Sequence, residues 1–218
     1  MNIDRKAKRI LCYGDSNTWG WVPSSMGIER YPINERWPGI LQEKLGSGYE
    51  IIEEGLGGRT TMFDDPRPDF PERNGAKTLP IILESHLPLD FVILMLGTTD
   101  TKEMMGLSGA EITAGMKSLI EIVKGYKTLK GTNPPQILIV VPPIVLETAD
   151  FASKLFRGGS EKANDLRQLY NDLAETEKVF YLDPTQDVKV DSSEGVHIDS
   201  RNHEILAEMI CEKINEVF

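Results

Sequence analysis

A chain of 218 residues, 40% of them hydrophobic, can bury one good core, so a single domain over 1–218 is expected. Its formal charge of −10 leaves no basic footprint for a phosphate backbone and argues against nucleic-acid partners. No apolar stretch is long enough for a secretory signal or a membrane span, so a cytoplasmic protein without a membrane partner is expected.

In chain order, the basic cluster Arg5 to Arg9 reads as the solvated lead-in to a strand, Arg9 to Tyr13. A helical pattern follows from Trp37 to Leu45, then a strand from Tyr49 to Glu53. The stretch Asp64 to Asn74, rich in proline and charge, reads as a long surface loop before a helix from Thr78 to His86. Next come a strand from Phe91 to Leu96, a helix from roughly Ala110 to Lys124 and a strand from Gln136 to Val141. Pro142 to Gly159 looks like a second long loop, stiffened at its start by Pro142-Pro143. Glu161 to Glu177 is helical, with Ala163, Leu166, Leu169, Tyr170 and Leu173 on one face and Ser160 as the expected N-cap. A strand from Val179 to Leu182 and a helix from Ser200 to Val217 complete the pattern.

The five apolar runs have the character of strands buried on both faces, and strand and helix alternate throughout. That predicts right-handed crossovers and a three-layer α/β/α sandwich around a five-stranded parallel sheet. Cys12 and Cys211 lie far apart, with no CxxC and no histidine at metal spacing, so two buried thiols in a reducing compartment are expected.

Ligands of open parallel sheets bind beyond the carboxyl ends of the strands. Four polar groupings fall there: Gly14-Asp15-Ser16, Gly57-Gly58-Arg59, Gly97-Thr98-Thr99-Asp100 and Glu194-Gly195-Val196-His197. Serine catalysis needs a base, an acid that orients the base, and donors for the developing oxyanion. Ser16 on a tight turn is the candidate nucleophile, His197 the base and Glu194 the orienting carboxylate. The backbone N–H groups of Ser16 and Gly58, with the Thr99 hydroxyl, are the candidate oxyanion hole. Asp15, Trp19, Trp21 and Phe156 are assigned to substrate binding, with Phe63 and Phe151 as further candidate walls. The carboxylates of Asp15 and Asp100 are also expected to tie down their loops. His86 and His203 sit inside helical patterns and read as packed or surface residues.

Competing motifs fail. Thr60 replaces the third glycine of a dinucleotide fingerprint, no P-loop lysine is present, and Thr18 stands where a GxSxG elbow needs glycine. Two rival classes stay open: a non-catalytic binding protein, and a metal-dependent hydrolase using Asp15, Asp100, Glu194 and His197 as ligands.

Those four blocks, in order, resemble the SGNH hydrolases, also called the GDSL esterase/lipase family. Similarity through Trp19-Gly20-Trp21, Glu53-Glu54-Gly55-Leu56, Arg59-Thr60-Thr61, Leu87-Pro88-Leu89-Asp90 and Met95 to Lys102 points to its bacterial arylesterase/acyltransferase subgroup. The resemblance implies a flavodoxin-like sandwich and hydrolysis or transesterification of small carboxylic esters through an acyl-serine intermediate. It also implies no metal or other cofactor, and homo-oligomers are common in the subgroup. Acetylated carbohydrates are the alternative substrate. Two departures stand out: Thr99 replaces the family's oxyanion asparagine, and Glu194 replaces its triad aspartate.

Overall fold

The computed structural model describes residues 4, 6–126 and 134–218, so Arg5 of the basic lead-in lies outside the described residues. The strands are Lys8–Gly14 (β1), Tyr49–Gly55 (β2), Phe91–Met95 (β3), Gln136–Val140 (β4) and Phe180–Leu182 (β5). Among the described residues they form one parallel sheet in the order β2-β1-β3-β4-β5. The helices are Ser16–Trp19 (α1), Trp37–Leu45 (α2), Gly75–His86 (α3), Gly109–Gly125 (α4), Asp150–Leu155 (α5), Gly159–Glu177 (α6) and Ser200–Val217 (α7).

Side chains alternate across a strand, so the central strands feed two cores. Leu11, Tyr13, Val92, Leu94 and Ile139 pack on one face against Leu79 and Leu83 of α3, Ile112 and Met116 of α4, and Leu166 and Tyr170 of α6. Ile10, Cys12, Ile93, Met95, Leu138 and Val140 pack on the other against Trp37 and Leu41 of α2 and Leu206 and Ile210 of α7. This is the expected α/β/α sandwich. The edge strands β2 and β5 are only partly buried, and β2 carries three glutamates, a composition that discourages further strand pairing.

Two local expectations need correction. The segment after Pro142-Pro143 is not all loop, because it contains α5, whose Ala152 packs with Val145, Ala149, Phe156 and Val196 in a small third cluster. Nor does Ser160 cap α6: the helix begins at Gly159 and its cap position is Gly158. Glu147 reaches in from the preceding segment and accepts the N–H groups of Gly158 at 3.0 Å and Ser160 at 2.7 Å. A negative charge at the positive end of the helix does what the local hydroxyl was expected to do. The Ser160 hydroxyl donates to the Val145 carbonyl instead.

Strand order reverses direction at β1, with β2 on one side and β3 on the other. A sheet of this order opens a crevice between the loops that leave β1 and β3, and that crevice holds the site.

Candidate active site

Gly14 pairs with both Gly55 and Met95, so β1, β2 and β3 end level with one another. Asp15 caps the single-turn α1, its carboxylate accepting the Asn17 N–H at 2.9 Å. Ser16 is the first residue of that turn. Asn17 faces the opposite loop, where its side chain accepts the Ile198 N–H at 3.0 Å and donates to the Val196 carbonyl at 3.3 Å. These two bonds hold residues on either side of His197 against the end of β1.

The loop that carries the imidazole folds on itself. Gly195 adopts φ +87°, and a Cβ there would stand 2.4 Å from the Leu146 carbonyl oxygen, so the turn requires glycine. The turn brings one Glu194 oxygen to the N–H groups of His197 at 2.8 Å and Val196 at 3.1 Å. Its other oxygen lies 2.6 Å from His197 Nδ1, and His197 Nε2 lies 2.9 Å from Ser16 Oγ. With Nδ1–H directed at the carboxylate, the Nε2 lone pair is left for the serine hydroxyl. Burial pushes the Glu194 carboxyl up, but the imidazole and the two backbone N–H groups outweigh it and hold it below the ordinary glutamate range. The Trp21 ring stacks on the imidazole, centroids 4.7 Å apart and planes 13° off parallel.

Beside Ser16 stand the expected donors. Among the described residues neither the Ser16 nor the Gly58 N–H is bonded to another protein group. Gly58 takes φ +79°, a turn closed to ordinary side chains. Buried Arg59 donates to the Gly14 carbonyl at 2.8 Å and to the Glu54 carbonyl, with its guanidinium 4.0 Å over the Tyr13 ring, and so ties this turn to β1. Thr99 opens a short 3₁₀ turn, Thr99–Thr101, and faces the same pocket. Asp100 behaves as expected of a loop tie, accepting the Thr61 N–H at 3.0 Å and the Thr61 hydroxyl at 2.6 Å. Burial, partly offset by those bonds, pushes its carboxyl up to about 7.

The pocket has apolar walls from Trp21, Phe151, Leu155, Phe156 and Val196. Ser16, His197, Gly57, Gly58, Phe70, Thr98, Thr99, Arg67 and Lys102 complete it. Three residues expected in or near it lie elsewhere. Asp15 is 1% exposed, lines no part of the pocket and uses one carboxylate oxygen on the α1 cap. Trp19 packs under the Arg30 guanidinium and edge-on to Trp21. Phe63 lines a separate hollow with Met104 and Met105. His86 bonds Glu54, and buried His203 accepts the Trp37 N–H, so neither belongs to the site. Asp15, Asp100, Glu194 and His197 do not converge as metal ligands; among the described residues no three His, Cys, Asp or Glu side chains are so grouped. Sequence reasoning missed Asn17, Arg67, Phe70 and Lys102. Only Asn17 carried a signal, as a polar side chain inside the Gly14-to-Trp19 block.

A serine, an imidazole and a carboxylate joined by hydrogen bonds at the switch point of a parallel sheet define a serine hydrolase by geometry. A family model described as the GDSL-like lipase/acylhydrolase family matches residues 12–204. The chain is 39% identical to Est24, a carbohydrate acetylesterase from Sinorhizobium meliloti, with TM-score 0.90, covering 97% of this chain and 100% of that one. It is 40% identical to the native M. smegmatis aryl esterase, with TM-score 0.90 and the same coverage. Among curated proteins no match is found. The chain belongs to the GDSL-like lipase/acylhydrolase family, the SGNH hydrolases, and is a carboxylic ester hydrolase acting on small-molecule esters. Among the described residues no helix is long and apolar enough to cross a membrane.

Proposed function

We propose that Ser16 is the nucleophile, His197 the general base and then general acid, and Glu194 the residue that orients and charges the imidazole. The observation that carries this reading is the bond chain Ser16 Oγ to His197 Nε2 at 2.9 Å and His197 Nδ1 to Glu194 at 2.6 Å. The ester carbonyl sits beside Ser16 with its oxygen toward the N–H groups of Ser16 and Gly58 and the Thr99 hydroxyl. His197 takes the hydroxyl proton as Oγ attacks, and the developing oxyanion gains those donors. Nε2–H then protonates the departing alcohol, leaving an acyl-serine. Water, activated by the same nitrogen, forms the acid and frees Ser16.

Aryl esters and acetylated carbohydrates, the substrates named for the similar structures, are the two substrate readings. The apolar walls Trp21, Phe151, Leu155 and Phe156 favour the aryl ester, and they also favour an alcohol over water in the second step, hence transesterification. The chain is proposed to act in the cytoplasm, with the free, buried Cys12 and Cys211 in support. Homo-oligomerisation is proposed too, supported by exposed Met26, Ile28 and Ile33; a single-chain mass by light scattering would overturn it.

The deciding experiment follows 4-nitrophenyl acetate. Expected are a burst of nitrophenol, one-to-one labelling by an organophosphonate, and loss of both in Ser16→Ala. Turnover that persists in Ser16→Ala, or that EDTA abolishes, would overturn the reading.

A further inference from the structure

Ester cleavage at Ser16 uses neither of the two cations that line the pocket. Arg67 comes from the loop before α3. Its guanidinium lies 3.7 Å over the Phe70 ring and is held by buried Asp65 through Nε at 2.8 Å and through Nη2, which leaves Nη1 unbonded among the described residues. Lys102 follows the Thr99–Thr101 turn and is 6% exposed. Among the described residues its ammonium makes no hydrogen bond and no ion pair, and its nearest recorded companion is the Phe156 ring, 5.8 Å away.

A largely desolvated ammonium that no carboxylate bonds is costly to hold, since it loses much of its water and the aspartates nearby act on it only at a distance. A natural remedy is an anion that arrives with the ligand. The chain as a whole carries −10, and Arg67 is already paired with Asp65, yet both cations line the pocket and the Lys102 ammonium is left without a bonded carboxylate, a charge that an anionic ligand can meet. The chemistry of the two heads differs usefully: one mobile point charge and one fixed guanidinium edge, which together suit a planar carboxylate.

We propose that Lys102 and Arg67 form a carboxylate-recognition subsite, so that the esters cleaved at Ser16 carry a second, free carboxylate on their acid or alcohol part. The inference rests on the esterase reading above and narrows its substrate class. The charged and titratable groups that face Lys102 are Arg67, Asp65, Asp15 and Asp100, with His197 in the same pocket. Burial first, and Arg67 next, bring its pKa down to about 8 against the pull of the three aspartates. Recognition by Lys102 therefore weakens as pH rises past that value, and kcat/KM, which reports the free enzyme, reads it.

The test uses matched pairs: 4-acetoxybenzoate against 4-acetoxybenzamide for the alcohol part, and monomethyl glutarate against its amide for the acid part. Each rate is divided by the rate of hydroxide hydrolysis. Expected is at least about tenfold higher kcat/KM for the anion in one pair, a preference that declines above pH 8 and shrinks about tenfold in Lys102→Met and less in Arg67→Gln. The pair that responds tells which part of the ester bears the charge. No preference in either pair, no turnover of either anion, or a preference that survives Lys102→Met overturns the proposal. Ser16-dependent hydrolysis of the neutral amides without any anion preference would sink the subsite alone; hydrolysis that persists in Ser16→Ala sinks the esterase reading. Lys102→Met is expected to melt no lower than the parent, since it removes a largely desolvated charge that no carboxylate bonds. A fall of several degrees would make Lys102 a structural residue and end the case.

Discussion

Glu194 is one methylene longer than the aspartate of its family, and the extra reach is used. One oxygen serves the imidazole while the other holds the backbone of Val196 and His197, so a single side chain both charges the base and shapes its loop. In Glu194→Gln the amide NH₂ faces either Nδ1, where it moves the imidazole proton to Nε2 and removes the lone pair that takes the serine proton, or the two backbone N–H groups, where it sets donor against donor. Turnover is expected to fall by roughly 10²–10⁴, less than in His197→Ala, when kcat is followed with 4-nitrophenyl acetate. Equal losses would mean that the carboxylate does more than orient. Thr99 offers a hydroxyl on a shorter arm than asparagine, so Thr99→Asn is expected to raise kcat by about tenfold, part of what one oxyanion donor contributes. An unchanged or lower rate would show a pocket adapted to threonine. At this scale Ser16, His197 and Glu194 were legible as candidates because they fall in polar groupings at the ends of predicted parallel strands, where ligands of such sheets bind. Lys102 and Arg67 were not, because a charged residue in a polar loop reads as solvated until packing buries it.

Apolar runs of five residues and helices of three turns or more announce themselves, and β1 to β5 and the long helices fall within a few residues of their predicted spans. The helix α5 did not, since six residues cannot display a 3.6-residue period. The start of α6 was misjudged for a related reason: its cap is Glu147, outside the local window in which a cap is sought. The clasp between α1 and the imidazole loop is equally invisible from sequence, joining Asn17 to a residue 181 positions away. Asn17→Ala leaves the Ile198 N–H and the Val196 carbonyl unpaired in a buried place, at about 1–3 kcal/mol in urea unfolding. Because the same bonds position His197, kcat is expected to fall with it. Normal activity in a destabilised Asn17→Ala would show that Glu194 alone fixes the imidazole.

For the whole molecule, parallel topology explains why groups from both ends of the chain meet: every strand ends on the same side, and every loop leaving it can reach the crevice. That rule made the site legible as a set, whereas the order of the strands lies in packing that no single segment reveals. Asp100 sits fully buried behind this crevice at a cost to stability. Its carboxyl titrates near 7 when folded and near 3.8 when not, so between those values the native state binds the extra proton and stability falls as pH rises. Asp100→Asn keeps an acceptor for the Thr61 N–H and loses the charge. Its stability relative to the parent is expected to improve by about 2–3 kcal/mol from pH 5 to pH 8, read by urea midpoints. Read as a single domain, the chain should unfold in one cooperative step throughout.

The indole of Trp21 stacks on the imidazole and lines the pocket. Its emission should therefore change when an acyl group occupies the crevice, while Trp19, which lines no part of the pocket, and fully buried Trp37, packed in the sheet's second core, supply the background. The enzyme thus carries its own optical probe, and colourless natural esters can be screened by fluorescence without a chromogenic leaving group.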